Sequence, residues 1–260
     1  MRLFTFFLIA AGFCLPSNQS TAQNILVTAH RGASGLAPEN TLASIRKAIE
    51  LKADFAEIDV QETKDSMLII VHDGNFKRTT GVDKNVWETD YADVKLLDAG
   101  SHFSENFKGE PVPVFENVLD SVKGKIKLNI ELKDNGHQQK LAERVVAMLE
   151  KKGWTDKCII TSFNFELIKK VRSINKNIKV GYIFSKYREN EDVFTADIDL
   201  FSIGKGLVDS ALVAKAKDHG KEVHVWTVND PVEMKRLCDL GVTSIITNFP
   251  DKLNAIIGKE

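Results

Sequence analysis

Two acidic side chains set two residues apart interrupt an otherwise apolar run, Phe55-Ala56-Glu57-Ile58-Asp59-Val60. In an extended strand, alternate side chains point to opposite faces, so Glu57 and Asp59 share one face and Ile58 and Val60 the other. The pattern returns in Lys127-Leu128-Asn129-Ile130-Glu131-Leu132-Lys133, where Asn129, Glu131 and Lys133 oppose Leu128, Ile130 and Leu132. If the apolar faces lie under helices, three carboxylates point into one interior. There they repel one another and lose hydration unless a cation or a proton compensates. Carboxylates without thiolates or obligatory imidazoles select a hard cation, Ca²⁺ or Mg²⁺, over Zn²⁺. No His-x-His zinc pair occurs.

Two histidines stand at the ends of other apolar runs. One run leads into His30-Arg31-Gly32, and Leu68–Val71 leads into His72-Asp73. Imidazole exchanges protons near neutral pH, and the guanidinium fork fits phosphate oxygens. Taken alone, either histidine reads as an ordinary strand-end or loop residue. Flanking a metal-bound phosphate, the pair can act as general base and general acid. In Val223-His224-Val225-Trp226, His224 and Trp226 share the inward face. Trp226 lies nearer the mouth, as an apolar wall for a glycerol-like group or as core packing. His224 lies deeper and reads as structural.

Short apolar runs alternate with helical patterns: Ile25–Ala29, Phe55–Val60, Leu68–Val71, Leu128–Leu132, Cys158–Phe163, Val180–Phe184, Leu200–Ile203, Val223–Val228 and Ser244–Ile246. Between them lie segments with i, i+3, i+4 apolar spacing, such as Leu42, Ile45 and Ile49 after the Asn40-Thr41 start signal. This alternation predicts parallel βαβ units. Only the short stretch around Thr63 to Ser66 separates Phe55–Val60 from Leu68–Val71. A parallel crossover needs a dozen or more residues, so these two runs are predicted to pair antiparallel. Eight parallel strands remain, which favours an α/β fold of the TIM-type (β/α)8 barrel with its site at the carboxyl ends of the strands. Asn75 to Pro113 breaks the rhythm and predicts a small insertion or lid, with Trp87, Tyr91, Phe103 and Phe107 scattered through it.

A chain of 260 residues with net charge −1 carries no basic excess to grip nucleic acid and no polybasic stretch for an anionic membrane. Residues 1–22 combine Arg2, the apolar run Leu3 to Leu15 and the small-residue site Ser20-Thr21-Ala22. That pattern predicts a cleaved signal peptide, export to the periplasm or beyond, and no stable membrane insertion afterwards. Residues 23–260 then form the barrel domain. Cleavage would remove Cys14 and leave Cys158 and Cys238, which read as two buried free thiols.

The chain resembles the glycerophosphodiester phosphodiesterase family from about Ile25 to Asp251. The resemblance rests on His30-Arg31-Gly32, Pro38-Glu39-Asn40-Thr41, Glu57-Ile58-Asp59, His72-Asp73, Arg78-Thr79-Thr80-Gly81, Leu97-Asp98-Ala99-Gly100, Glu131-Leu132-Lys133 and Val225-Trp226-Thr227-Val228-Asn229. It implies Glu57, Asp59 and Glu131 as metal ligands and His30 and His72 as the acid/base pair. It further implies Arg31 and Lys133 as phosphate contacts and Glu39 as a polar residue of the same rim. The implied reaction is metal-dependent hydrolysis of a small soluble glycerophosphodiester to glycerol 3-phosphate and an alcohol. Asp65-Ser66 departs from the family's usual Asp-Gly turn.

Two further readings stand beside this one. A lysophospholipase D or phosphoinositide-type phosphodiesterase on the same barrel would need an apolar entrance, for which Trp87, Phe103 and Phe107 are available. A barrel that binds phosphorylated ligands without turnover would have no use for His30 and His72.

Overall fold

The computed structural model describes residues 25–186 and 193–259; the signal segment read from residues 1–22 lies outside them. Nine strands are described: β1 (Leu26–Ala29), β2 (Phe55–Glu62), β3 (Leu68–Ile70), β4 (Lys127–Leu132), β5 (Cys158–Ser162), β6 (Lys179–Phe184), β7 (Leu200–Gly204), β8 (Glu222–Trp226) and β9 (Ser244–Thr247). Eight run parallel in the order β1-β9-β8-β7-β6-β5-β4-β2, and β1 pairs with β2 through Thr28 and Phe55, which closes the ring. The ninth, β3, lies antiparallel on β2, with Val60 opposite Ile70 and Glu62 opposite Leu68. The surplus run is therefore the expected folded-back arm.

The described α-helices are α1 (Leu42–Glu50), α2 (Lys77–Thr80), α3 (Tyr91–Val94), α4 (Phe115–Val122), α5 (Leu141–Lys152), α6 (Phe165–Ile174), α7 (Ser210–Asp218), α8 (Pro231–Leu240) and α9 (Pro250–Ile257), beside short 3-10 turns at Val86–Glu88, Glu105–Phe107 and Lys205–Leu207. Their starts follow from local chemistry. The Thr41 hydroxyl accepts from the Ser44 amide and the Ser44 hydroxyl accepts from that of Thr41, a reciprocal cap on α1. At α8, Asp230 accepts from the Glu233 amide, and Pro231 occupies a first-turn position where a missing N–H costs nothing.

The pleat sorts side chains as the alternation requires. Ile58, Val60, Leu128, Ile130 and Leu132 are buried in the main core beneath the helices. Inside the barrel, Leu26, Phe55, Ile159 and Leu200 form a separate apolar cluster at the amino ends of the strands. Thr28, Asn129, Thr161, Ser202, His224 and Ser244 are buried above it. Glu57 is level with Asn129, and Asp59 and Glu131 stand one step higher. Polarity thus rises toward the carboxyl ends.

Two details differ from the expectation, the end of β2 and the burial of Cys238. β2 continues past Val60 through Gln61 and Glu62, both buried polar residues. Hydrogen bonds replace apolar contact there: Glu62 accepts from the Gln139 amide and pairs with Arg144. Cys238 is half-buried rather than buried, because α8 turns it partly outward; it and Cys158 are free thiols. Ser66 has a φ of 69°, the left-handed conformation that glycine adopts without strain, so the departure from Asp-Gly leaves the turn geometry in place.

The 75–113 insertion has its own small core. Phe76, Val86, Val94, Ala99 and Val112 are buried together with Ile69 and Val71 of the arm, and Tyr91 lies against them. Trp87 instead stacks on His137, in the segment after β4, with ring centroids 4.2 Å apart. Phe103 and Phe107 meet edge to face, and Phe103 is exposed.

Candidate active site

Strand pairing alone places the acidic trio. β2 and β4 run parallel with Glu57 opposite Asn129 and Asp59 opposite Glu131. One carboxylate oxygen from each of Glu57, Asp59 and Glu131 lies within 4.8 Å of the other two. Burial first, then the charges of Asp59 and Glu131, push the Glu57 carboxyl well above its ordinary range. Burial and the Asp59 charge likewise raise Glu131, against the opposing pull of Lys133. Such a cluster holds protons unless a cation discharges it. Asp59 Oδ1 is buried and accepts no hydrogen bond, with Lys133 Nζ 3.6 Å away, so it keeps acceptor capacity. Three carboxylates with an open buried oxygen fit a hard divalent cation.

Cationic groups border the trio. Lys133 Nζ lies 2.7 Å from Glu131 Oε1 and 3.6 Å from Asp59 Oδ1. The Arg31 guanidinium sits 3.6 Å from Asp59 and 2.9 Å from Glu39. Arg31 adopts a φ of 53°, and its backbone N–H donates to Glu57 Oε2 at 2.7 Å. The unusual backbone conformation thus turns the chain at the end of β1 toward the cluster.

Both histidines line one cavity with Arg31, Glu57, Glu131 and Trp226. His30 Nε2 stands 4.0 Å from Glu57, and its Nδ1 faces Asn248 Oδ1 at 2.7 Å. Burial, followed by the Arg31 charge, lowers the His30 pKa to about 4, despite the hydrogen bond to Asn248. His72 Nδ1 lies 2.7 Å from Asp73 Oδ1. Trp226 forms part of the cavity wall and meets Phe163 edge to face. His224 contacts Glu222 at 3.2 Å with 1% of its surface exposed, below the cavity, in keeping with a structural reading.

Glu39 joins two arginines. Arg31 donates to it at 2.9 Å, and Arg78 donates to both of its oxygens at 2.7 Å. Arg78 also donates to Asp73 Oδ2 at 2.6 Å, which links the β1 loop to the partner of His72. Burial pushes the Glu39 carboxyl up, but the Arg78 hydrogen bonds and then the Arg31 charge outweigh it and hold the pKa at about 2.

All nine side chains singled out in the sequence therefore meet at one mouth. Asn40, Gln61, Asp73, Arg78, Phe163 and Asn248 also belong to this rim and were assigned no role there. Asn40, Asp73 and Arg78 lay inside the matched motifs. Gln61 shares the strand parity of Glu57 and Asp59. Asn248 had no local signal.

Two imidazoles, the cationic Arg31 and Lys133, and three carboxylates thus gather at the carboxyl ends of the barrel strands. The chain belongs to the glycerophosphoryl diester phosphodiesterase family, whose model matches residues 30–252. It is 34% identical to a glycerophosphodiester phosphodiesterase of Bacillus subtilis (strain 168), over 98% of this chain and 94% of that one. A phosphodiesterase of Oleispira antarctica, solved in complex with the product sn-glycerol-3-phosphate, superposes with a TM-score of 0.85 at 29% identity, covering 90% of this chain and 96% of that one. A lysophospholipase D of Mus musculus is 27% identical over 86% of this chain and 83% of its own length. By family and fold the chain is a phosphoric diester hydrolase.

Proposed function

We propose that the protein hydrolyses small soluble glycerophosphodiesters to glycerol 3-phosphate and an alcohol, with one divalent cation, Ca²⁺ or Mg²⁺, held by Glu57, Asp59 and Glu131. The observation that carries this reading is the all-oxygen trio within 4.8 Å, buried at Glu57 and Asp59 and half-buried at Glu131, with Asp59 Oδ1 accepting no hydrogen bond. When bound, the cation supplies positive charge to a phosphate oxygen.

The chain's own groups account for the rest. Lys133 and Arg31 offer N–H donors to the remaining phosphate oxygens. The Asn248 carboxamide oxygen at His30 Nδ1 calls for a proton there, which leaves the Nε2 lone pair toward the cavity. Burial keeps that imidazole neutral, so His30 is the base that takes the nucleophile's proton. Asp73 Oδ1 beside His72 Nδ1 orients that ring, and His72 gives its proton to the departing alcohol oxygen. A bond from phosphorus to the incoming oxygen forms as the bond to the alcohol breaks. Both water and the neighbouring glycerol hydroxyl suit the nucleophile's place; a cyclic phosphate intermediate would mark the second.

The cavity measures about 120 Å³ and Trp226 and Phe163 wall one side. It shares Glu131 and Phe163 with an adjoining cleft of about 450 Å³ that holds Lys133, and its own small size beside the roughly 300–1,000 Å³ of drug-sized ligand sites suits a compact polar group at the reacting end. The likeness to a lysophospholipase D and the exposed Phe103 support a second reading, in which the insertion admits lysolipids. Hydrolysis of soluble glycerophosphocholine compared with micellar lysophosphatidylcholine decides between them. Preference for the soluble diester supports the first, and preference for the micelle the second.

We also infer export, on the residue pattern of 1–22. Amino-terminal sequencing of the protein purified from its native host would show a start near residue 23, and an intact Met1 would remove the inference.

A further inference from the structure

His72 sits beyond the end of a three-residue strand, where the β2–β3 ladder has stopped, yet a proton donor must hold its place to a fraction of an ångström. Gln61 is the residue that grips this segment. It lies on the inward face of β2, in phase with Glu57 and Asp59, and is 1% exposed. Its Nε2 donates to three successive carbonyl oxygens, of Val71 at 3.0 Å, His72 at 3.1 Å and Asp73 at 2.9 Å. An amide nitrogen has two hydrogens, so the three acceptors share them. The Oε1 atom accepts from Asn135 Nδ2 at 2.8 Å, which fixes the amide's orientation. Asn135 belongs to the segment after Lys133, and its own Oδ1 accepts the His137 amide.

We propose that Gln61 is a positioning residue for the proton-transfer step: it aims His72 by holding the backbone that bears it, and Asn135 holds Gln61. The proposal rests on the reading of His72 as a proton-transfer group. Nothing else in the β2 ladder could take this part. The last ladder partners on the arm are Ile69 and Ile70, and the Val71 N–H reaches back to the Asp59 carbonyl, so the carbonyls of residues 71–73 extend past the sheet. A buried carbonyl without a donor is costly, and the loop would shift to find water. Gln61 does not itself line the cavity, and its side-chain bonds go to the 71–73 carbonyls and Asn135 rather than to the acidic trio, so its removal would leave phosphate binding in place and misplace one imidazole.

A double-mutant cycle on the full chain tests this, with glycerophosphocholine as substrate. Gln61→Met keeps the side-chain volume and removes every donor and acceptor. It is expected to lower kcat by roughly 10–100-fold, the scale of an ångström's misplacement, with KM within about 2-fold of wild type. In a His72→Ala background, which is itself impaired, the same change should cost less than about 2-fold, because the group it positions is gone. In a Lys133→Ala background its full cost should remain. An undiminished loss in the His72→Ala background overturns the proposal alone. So does a loss that vanishes in the Lys133→Ala background, since Gln61 would then act through the β4 loop. Wild-type turnover in His72→Ala overturns the underlying reading of His72, and the proposal with it. If Gln61→Met does not fold, Gln61→Asn, which retains the amide but falls short of the carbonyls, replaces it in the same cycle with the same criteria.

Discussion

Asn40 holds Asp59 from two sides: its Nδ2 donates to Asp59 Oδ2 at 2.7 Å, and its Oδ1 accepts the Asp59 backbone N–H at 3.1 Å. The carboxylate is thereby pinned with Oδ1 free of hydrogen bonds, 3.6 Å from Lys133 Nζ. Asn40 itself has a φ of 56°, a conformation that asparagine tolerates better than most residues. Groups that orient a metal ligand in this way are worth about 10–100-fold in metal affinity. Asn40→Ala should therefore raise the cation concentration needed for half-maximal activity by about that factor. Titration of the apo variant with Mg²⁺ and Ca²⁺ reads it, and an unchanged requirement would remove Asn40 from the account.

His30→Ala and His72→Ala should each reduce turnover by roughly 10²–10⁴, the usual worth of a general acid or base. Neither should lower stability by more than about 1 kcal/mol, since each loses one hydrogen bond at a rim and no core packing. The assigned roles separate with a p-nitrophenyl phosphodiester, whose leaving group needs no proton. His72→Ala should recover most of its deficit on that substrate, and His30→Ala should not. The reverse pattern would exchange the two roles.

Glu39 should make stability fall on the acid side. Its folded pKa is held at about 2, below an ordinary 4.5. A carboxyl depressed on folding stabilises fully above the unfolded value, and that contribution is lost as pH falls from about 4.5 through 2. The shift corresponds to a few kcal/mol, at about 1.4 kcal/mol per unit. Melting temperatures of wild type and Glu39→Gln should accordingly differ most above pH 4.5 and converge as pH approaches 2. A gap that stays constant over that range would show that the carboxylate's pairing with Arg78 and Arg31 does not supply the stability.

Ser66→Gly should stabilise the fold modestly. A left-handed backbone costs a non-glycine residue about 1–2 kcal/mol, and glycine's extra freedom in the unfolded chain returns about 0.5–1 of that. A net gain of about 0.5–1 kcal/mol is expected, read as a higher midpoint in urea. A lower midpoint would mean that the Ser66 side chain contributes something the turn needs.

Much of this molecule could be read before it was seen, for a physical reason. A strand's pleat has a period of two residues, so one look at Glu57-Ile58-Asp59 and at Leu128 to Lys133 assigns every side chain to the lumen or the helix layer. The short link between Thr63 and Ser66 likewise forced an antiparallel arm, which brought His72 to the rim. What could not be read was contact made by closure. His30 and Asn248 are 218 residues apart and meet only because β1 pairs with β9. Arg78 reaches Glu39 across 39 residues because the insertion folds on its own small core. Gln61 had the right parity, but its partners are backbone carbonyls, which every sequence supplies and none announces.

Glu57, Asp59 and Glu131 are proposed together to hold the cation without which the diester is not cleaved. Release of glycerol 3-phosphate from glycerophosphocholine, measured after chelation and again after adding back Mg²⁺ or Ca²⁺, tests it most directly, in wild type and in the Glu57→Gln, Asp59→Asn double variant. Chelation is expected to abolish release, the cation to restore it in wild type, and the variant to stay inactive at any cation concentration while remaining folded. Full activity of the folded variant in the metal-free state would contradict it.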